Sequence, residues 1–373
     1  MHVYKSYYPD PPGGIPEAIK QICDATRMHD VESRVFALSP KPVPHIIKHE
    51  EASVFRTLSW IAPASCDLGG PSAFRVFSDL ANWADALHFH YPWPFADLLN
   101  LLPAARKPKV LTYHSDIIRQ KVLSALYTPL MRLTLRSMDA IVATSPTYAQ
   151  SSNVIQSHIQ KEKLRIIPLG IADITNSLPK LSDTSGIVRK LGLGNTPFVL
   201  ALGALRYYKG LHTLLEATKE TNGRIVIAGD GPEAHNLHSQ ANAIGATNVI
   251  FAGRVSDPEK HDLIRNCRAF VFPSHLRSEA FGMVLLEAAM HSKPLICCDI
   301  GSGMSYVNQN NVTGLLLPPN SPRELAKAIN TLLFNDELSK KLGTAARERF
   351  LSLFSAKALG ESYRNLYAEV LKR

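Results

Sequence analysis

Residues 268–290 read Arg-Ala-Phe-Val-Phe-Pro-Ser-His-Leu-Arg-Ser-Glu-Ala-Phe-Gly-Met-Val-Leu-Leu-Glu-Ala-Ala-Met. Ala269–Pro273 is apolar without alternation, as a strand covered on both faces would be. A short polar loop follows, and then Met283–Met290, a run of good helix formers. Gly282 stands between them and lets another group approach the backbone closely. A buried strand followed by a helix is the repeating unit of a parallel α/β sheet.

The same unit recurs in both directions. Apolar runs at 197–203, 224–229, 248–253, 294–300 and 314–318 share the second half. Runs at 33–40, 86–91, 109–114 and 139–145 occupy the first half, which 164–171 closes. Most lead into a helical pattern. The polar stretch 172–196 breaks the alternation, with one short helical piece at Gly186–Leu191, and reads as an inter-domain connection. The expected organisation is an α/β chain of two doubly wound Rossmann-like domains, 1–175 and 196–350, facing a central cleft. A last helix over 351–373 is expected to pack back toward the N-terminal domain, within a stretch, 338–372, that reads as helical throughout. Ligands of such sheets bind at the carboxyl ends of the strands.

Composition narrows the function. Hydrophobic residues are 45% and charged residues 20% of 373, which excludes a disordered chain. The net charge of +9 favours anionic partners. The basic excess is spread over both halves with no basic arm, which argues against nucleic acid. The five cysteines, Cys23, Cys66, Cys267, Cys297 and Cys298, form no CxxC pair and point to a reduced, cytoplasmic protein. No signal-peptide core opens the chain, and no apolar run approaches the roughly 18 residues of a membrane span. The Asn311-Val-Thr313 sequon is then without consequence.

The chemistry concentrates around Gly282. The free N–H groups of Phe281, Gly282, Met283 and Val284 would lie at a helix N-terminus, a natural phosphate seat. Glu279 lies before that helix and Glu287 inside it, so two carboxylates can address one ligand. Taken as spacing alone, the pair is equally an N-terminal helix charge and a surface residue.

The run Ser278–Met290 resembles the E-x7-E motif of family-4 glycosyltransferases, retaining sugar-nucleotide enzymes of GT-B fold. Further pieces fall in that family's order: Gly13-Gly14 opening a helix, Gly203-Ala-Leu-Arg-Tyr-Tyr-Lys-Gly210, Ala228-Gly-Asp-Gly-Pro232, Phe251-Ala-Gly253 and Gly314-Leu-Leu-Leu-Pro-Pro319. The likeness spans essentially the whole chain and is similar in detail to bacterial O-antigen mannosyl- and rhamnosyltransferases. It implies that Glu287 holds the ribose hydroxyls and that Glu279 binds the transferred sugar and stabilises developing positive charge. It further implies that the Phe281–Val284 amides meet the sugar and distal phosphate, that Lys209 neutralises the departing diphosphate, and that Gly13 and Gly14 admit the phosphates. Two positions depart from the pattern. Ala204 stands where the family has arginine, and Arg206, two residues on along an extended strand, is the expected substitute. Gly301-Ser-Gly-Met-Ser305 replaces a GGxxE loop and lacks its acid.

His114, ending the 109–114 run, matches a histidine that in the family faces the anomeric carbon. His88 and His90 form an HxH pair; a metal reading needs a third ligand and a carboxylate partner, so no metal is expected. The segment Ile117–Met138 carries four basic residues and no acids, with Pro129 as an expected break. It reads either as a buried helix with solvated arginines or as one lying on an anionic membrane face. The family's lipid-linked acceptors favour the second.

The resemblance thus implies a retaining hexosyltransferase without a cofactor. It would take a nucleotide-diphosphate sugar, GDP-mannose or a GDP-deoxyhexose being favoured, and a glycan or lipid-linked glycan acceptor in cell-surface polysaccharide synthesis. The rivals are a sugar-nucleotide epimerase of the same fold and a non-catalytic nucleotide-sugar binder. An oxidoreductase is disfavoured, because no GxGxxG follows the first strand.

Overall fold

A computed structural model describes residues 1–10, 13–62, 66–116, 121–178, 185–194 and 196–372. Two compact units emerge: 1–172 together with 355–373, and 173–354.

The first unit is built on a nine-stranded sheet. Its strands are β1 (His2–Val3), β2 (Arg34–Ser39), β3 (Ile46–Lys48), β4 (Ser53–Ile61), β5 (Leu68–Gly69), β6 (Leu87–Tyr91), β7 (Lys109–Tyr113), β8 (Ala140–Ala143) and β9 (Leu164–Ile166). They lie in the order β3-β4-β2-β1-β6-β7-β8-β9, with β5 beside β4. Only the β3–β4 and β4–β5 pairings are antiparallel. From β1 the chain winds outward through β2 to β4, then returns to β6 on the other side of β1 and continues to β9. The strand order therefore reverses between β1 and β6, where open α/β sheets bind ligands. Helices Gly14–Arg27 and Ala356–Leu371 cover one face, burying Ile22 and Ala25 with Val110, Val142, Leu359 and Tyr363.

The second unit carries β10 (Phe198–Leu202), β11 (Arg224–Ala228), β12 (Val249–Gly253), β13 (Ala269–Phe272), β14 (Leu295–Cys298) and β15 (Gly314–Leu317). The order is β12-β11-β10-β13-β14-β15, parallel throughout, with the switch point between β10 and β13. Val199, Ile225, Val271 and Ile296 fill the core beneath Leu214, Ile329 and Leu332 of the covering helices. Both sheets are doubly wound, as the alternation of runs requires.

Three sequence expectations change. The stretch 338–372 is not one helix: Asp336–Arg349 ends in a π-helical turn, Phe350–Phe354, and Ser355 caps a new helix by accepting from the Ala358 N–H at 3.3 Å. The cause is burial. Phe350 and Phe354 fill the second unit, whereas Leu359, Tyr363 and Leu366 fill the first, so the apolar stripe changes core at Ser355. Pro129 does not end its helix, which runs Lys121–Ser137. Met131, Thr134, Leu135 and Met138 are buried beyond the proline, and that packing outweighs the one backbone hydrogen bond proline removes. Arg132 and Arg136 lie exposed on the opposite face of this half; residues 117–120 of the basic segment are outside the described residues. In the connection, the short helix is Ser185–Lys190, and 179–184 and 195 are outside the described residues. Among the described residues no helix is long and apolar enough to cross a membrane.

Candidate active site

At the switch point of the second unit, two loops leave adjacent strand ends. After β10 the chain runs through Gly203–Arg206 into a single 3-10 turn, Tyr207–Lys209, and then Gly210. Gly210 has φ 68°, and a Cβ there would stand 2.1 Å from the Pro273 carbonyl oxygen. Only glycine lets this loop close against the end of β13, and that closure sets Lys209 against the second loop. Lys209 Nζ is ion-paired to Glu279 and lies 4.3 Å from the centroid of the Phe272 ring. Both side chains are largely shielded, so the pair is screened less than a surface one. Burial and the nearby Glu279 carboxylate raise the Tyr208 hydroxyl above the ordinary tyrosine range.

Arg206 is exposed, as is Ala204, whereas Leu205 between them is buried. Leu205 is pinned by backbone bonds from its N–H to Asp230 O and from Glu233 N–H to its own carbonyl, both 3.0 Å. Positions 204 and 206 thus present on the same side of the chain. They do so on a loop rather than on the expected strand, which ends at Leu202.

The second loop leads through Glu279, Ala280 and Phe281 to Gly282, the N-cap of helix Met283–Met290, at φ 82°. Phe281 is buried against Phe354, which anchors the loop from below. The first helical N–H groups, Met283 and Val284 among them, have no partner within the helix, and the helix presents the positive end of its dipole here. Before this loop, Ser274 Oγ and His275 Nδ1 are buried without a hydrogen-bond partner among the described residues. Neither was singled out from sequence. Burial, then the neighbouring His212, holds the His275 imidazole below its usual pKa.

Glu287 accepts from Lys260 Nζ at 2.8 Å, and Lys260 also reaches Asp257 at 3.2 Å. Burial alone would lower the Lys260 pKa; Glu287, then Asp257, outweigh it and raise it. Lys260 comes from helix Asp257–Asn266, which carries no motif, so the sequence offered no signal for it.

In the first unit, Gly13 is the extended N-cap of helix Gly14–Arg27, and the loop from β1 enters the helix there. Neither glycine has a left-handed φ. A Cβ on Gly14 would meet nothing within 4 Å, and one on Gly13 only Pro16 at 3.6 Å. The packing of the unit does not require glycine at either position. Pro11 and Pro12 of the same motif are outside the described residues. His114 follows β7 and is buried; burial alone pushes its pKa down to about 3. His88 and His90 do acquire a third imidazole, His2, which sequence spacing could not bring to them. The ligand-type nitrogens of the three lie within 4.8 Å of one another. Both nitrogens of His88 and of His90 are already engaged in hydrogen bonds, and among the described residues no carboxylate joins the cluster.

Two doubly wound Rossmann-like sheets, the second with its motif loops at the switch point, define a two-domain α/β enzyme of the GT-B class. The backbone matches the crystal structure of Anabaena Alr3699/HepE in complex with UDP, with a TM-score of 0.81 over 99% of both chains at 20% identity. Within that class the chain belongs to the family-4 glycosyltransferases: residues 12–173 match Glycosyltransferase Family 4 and residues 185–349 match Glycosyl transferases group 1. It is 41% identical to D-rhamnosyltransferase WbpZ of Pseudomonas aeruginosa, over 95% of this chain and 92% of that one. It is 38% identical to O-antigen chain mannosyltransferase C of Escherichia coli, over 100% and 98%.

Proposed function

We propose that this glycosyltransferase moves a hexose, with retention of anomeric configuration, from a nucleoside-diphosphate sugar to a growing O-antigen-type glycan. The donor sugar is mannose or a deoxyhexose carried on GDP. The observation that carries the reading is the shielded Lys209–Glu279 pair beside the Gly282 helix start: a cation for a leaving diphosphate and a carboxylate for a sugar, at one switch point. The choice of sugar and glycan is supported by the rhamnosyl- and mannosyltransferase relatives.

The acceptor hydroxyl oxygen forms a bond to the anomeric carbon while the bond from that carbon to the phosphate oxygen breaks. The acceptor proton goes to the departing phosphate. Lys209, joined by Arg206, stabilises the charge that builds on the diphosphate. Glu279 and His114 shape the surroundings of the sugar, and Glu287 accepts from the ribose hydroxyls. No divalent cation is assigned a role. Phospholipid contact through the 117–138 segment at the inner membrane face is part of the reading where the acceptor is lipid-linked.

The test is to incubate the purified protein with GDP-mannose, GDP-D-rhamnose or UDP-glucose, a lipid-linked acceptor and excess chelator. Nucleoside diphosphate release and the anomeric configuration of the product are measured. Transfer from a GDP-sugar with an α-linkage from an α-donor is expected. Inversion, or loss of activity restored by manganese, would overturn the mechanism; product formed without acceptor would point to an epimerase.

A further inference from the structure

His2, His90 and His114 form a continuous hydrogen-bonded file across three neighbouring strands. His2 Nδ1 lies 3.0 Å from His90 Nε2, and His90 Nδ1 lies 2.9 Å from His114 Nε2. The rings are nearly parallel, at 21° and 25° between successive planes. The sheet makes the file. His2 and His88 are register partners on β1 and β6, and His90 is paired with Thr112, two residues before His114. With a two-residue period, all these side chains leave one face of the sheet. His88 stacks on His90 at 4.3 Å and is itself held by Tyr367 Oη at 2.8 Å and Thr112 Oγ1 at 2.7 Å. The helix Ala356–Leu371 thereby closes the file from above.

His90 is 1% exposed and His2 3%, so the file is closed off from bulk solvent. Burial first, and then the neighbouring imidazoles, hold His90 well below its ordinary pKa. A neutral imidazole has one donor and one acceptor nitrogen. If His114 carries its proton on Nε2, His90 Nδ1 must be bare, His90 Nε2 protonated and His2 Nδ1 bare. The opposite state puts a proton on Nδ1 of all three. Any mixture sets two lone pairs or two N–H groups face to face. The three tautomers are therefore one choice, and it decides whether the Nδ1 of His114, which has no hydrogen-bond partner among the described residues, donates or accepts.

We propose that His90, with His2 behind it, is a positioning residue for His114, fixing its ring and setting its tautomer as the end of a three-imidazole unit. The proposal rests on the place given above to His114 beside the transferred sugar. A sugar hydroxyl then meets a nitrogen whose polarity is chosen by the file as a whole and not by His114 alone.

The experiment combines long-range 1H–15N spectra of histidine-labelled protein with steady-state kinetics of sugar transfer. In the wild type, His2, His90 and His114 are expected as single tautomers of the same kind. His90→Asn, whose amide can keep the bond to His114, should hold the His114 ring in place and keep near-normal turnover. His90→Phe keeps the ring's bulk without its nitrogens; it should give mixed tautomers at His114 and a kcat about tenfold lower, with the donor KM within twofold. If His90→Phe does not fold by circular dichroism, His2→Phe cuts the far bond and should likewise mix the tautomers. Unlike tautomers in the wild type, or an unmixed His114 in the folded phenylalanine variant, would overturn the proposal. Stoichiometric zinc on the purified protein would do the same, since the file's nitrogens would be its ligands. If His114→Ala leaves transfer intact, the catalytic place of His114 fails, while the spectra still judge the file.

Discussion

At the scale of single residues, the proposed donor site is a set of charges matched to one another. Lys209 neutralises Glu279, and Lys260 neutralises Glu287. A diphosphate sugar would divide the first pair, drawing the ammonium to phosphate and leaving the carboxylate to sugar hydroxyls. Lys209→Ala is therefore expected to lower turnover about a hundredfold, the scale of losing one charge-stabilising donor, and rapid-quench turnover measurement checks it. Near-normal turnover would pass the role to Arg206. Glu287→Ala should weaken donor binding about tenfold or more, since hydrogen bonds to a charged group contribute roughly 1.5–3 kcal/mol. Calorimetric titration reads that loss, and an unchanged Kd would remove the ribose role from Glu287.

At the scale of elements, two glycine-containing loops behave in opposite ways. Gly210 is fixed by the fold, with a left-handed φ and a carbonyl where its Cβ would be; Gly14 is not, having open space around it. Gly210→Ala should cost about 2 kcal/mol or more in urea unfolding, since left-handed backbone alone costs roughly 1–2 kcal/mol. Gly14→Ala should leave stability within about 0.5 kcal/mol while weakening donor binding, if the space is the ligand's. Equal effects of the two substitutions on stability would show the loop description to be wrong. The same elements show what a sequence can reveal. The long apolar strands and the 278–290 loop announce themselves, because burial on both faces and a helix start leave local marks. β1 has two residues and leaves none, although it is the centre of its sheet and brings His2 to His90. β4 goes unmarked because Arg56 interrupts its apolar run; that arginine is buried against Asp10 at 3.2 Å, a contact between distant segments. Lys260 and Ser274 are invisible for the same reason: their meaning lies in partners, or missing partners, that only the fold supplies.

At the scale of the whole molecule, both units bury histidines as neutral groups, and this couples folding to pH. Burial first, then neighbouring positive charge, holds His2, His88 and His90 far below the ordinary histidine value of about 6.5, and burial takes His114 to about 3. In the second unit, His261, whose Nδ1 lies 3.0 Å from His291 Nε2, falls to about 4 and His291 to about 3. Each of these binds protons more weakly folded than unfolded, so its contribution is complete above pH 6.5 and is lost as the pH falls toward the folded value. Asp97 works the other way. Its burial raises it to about 7, so its contribution is complete at low pH and is lost as the pH rises from about 4 toward 7. The histidines outnumber it. Each histidine that stays neutral in the fold costs up to about 1.4 kcal/mol per pH unit below 6.5, and Asp97 offsets only one of the four in the first unit. Typical domain stabilities are about 5–15 kcal/mol, so the melting temperature should fall clearly between pH 7.5 and 5.5 in scanning calorimetry. His90→Phe, which removes one titrating group from the file, should flatten that dependence. A melting temperature that stays level across the range would mean that the histidine cluster takes up protons in the folded state without penalty, and the neutral file could not stand.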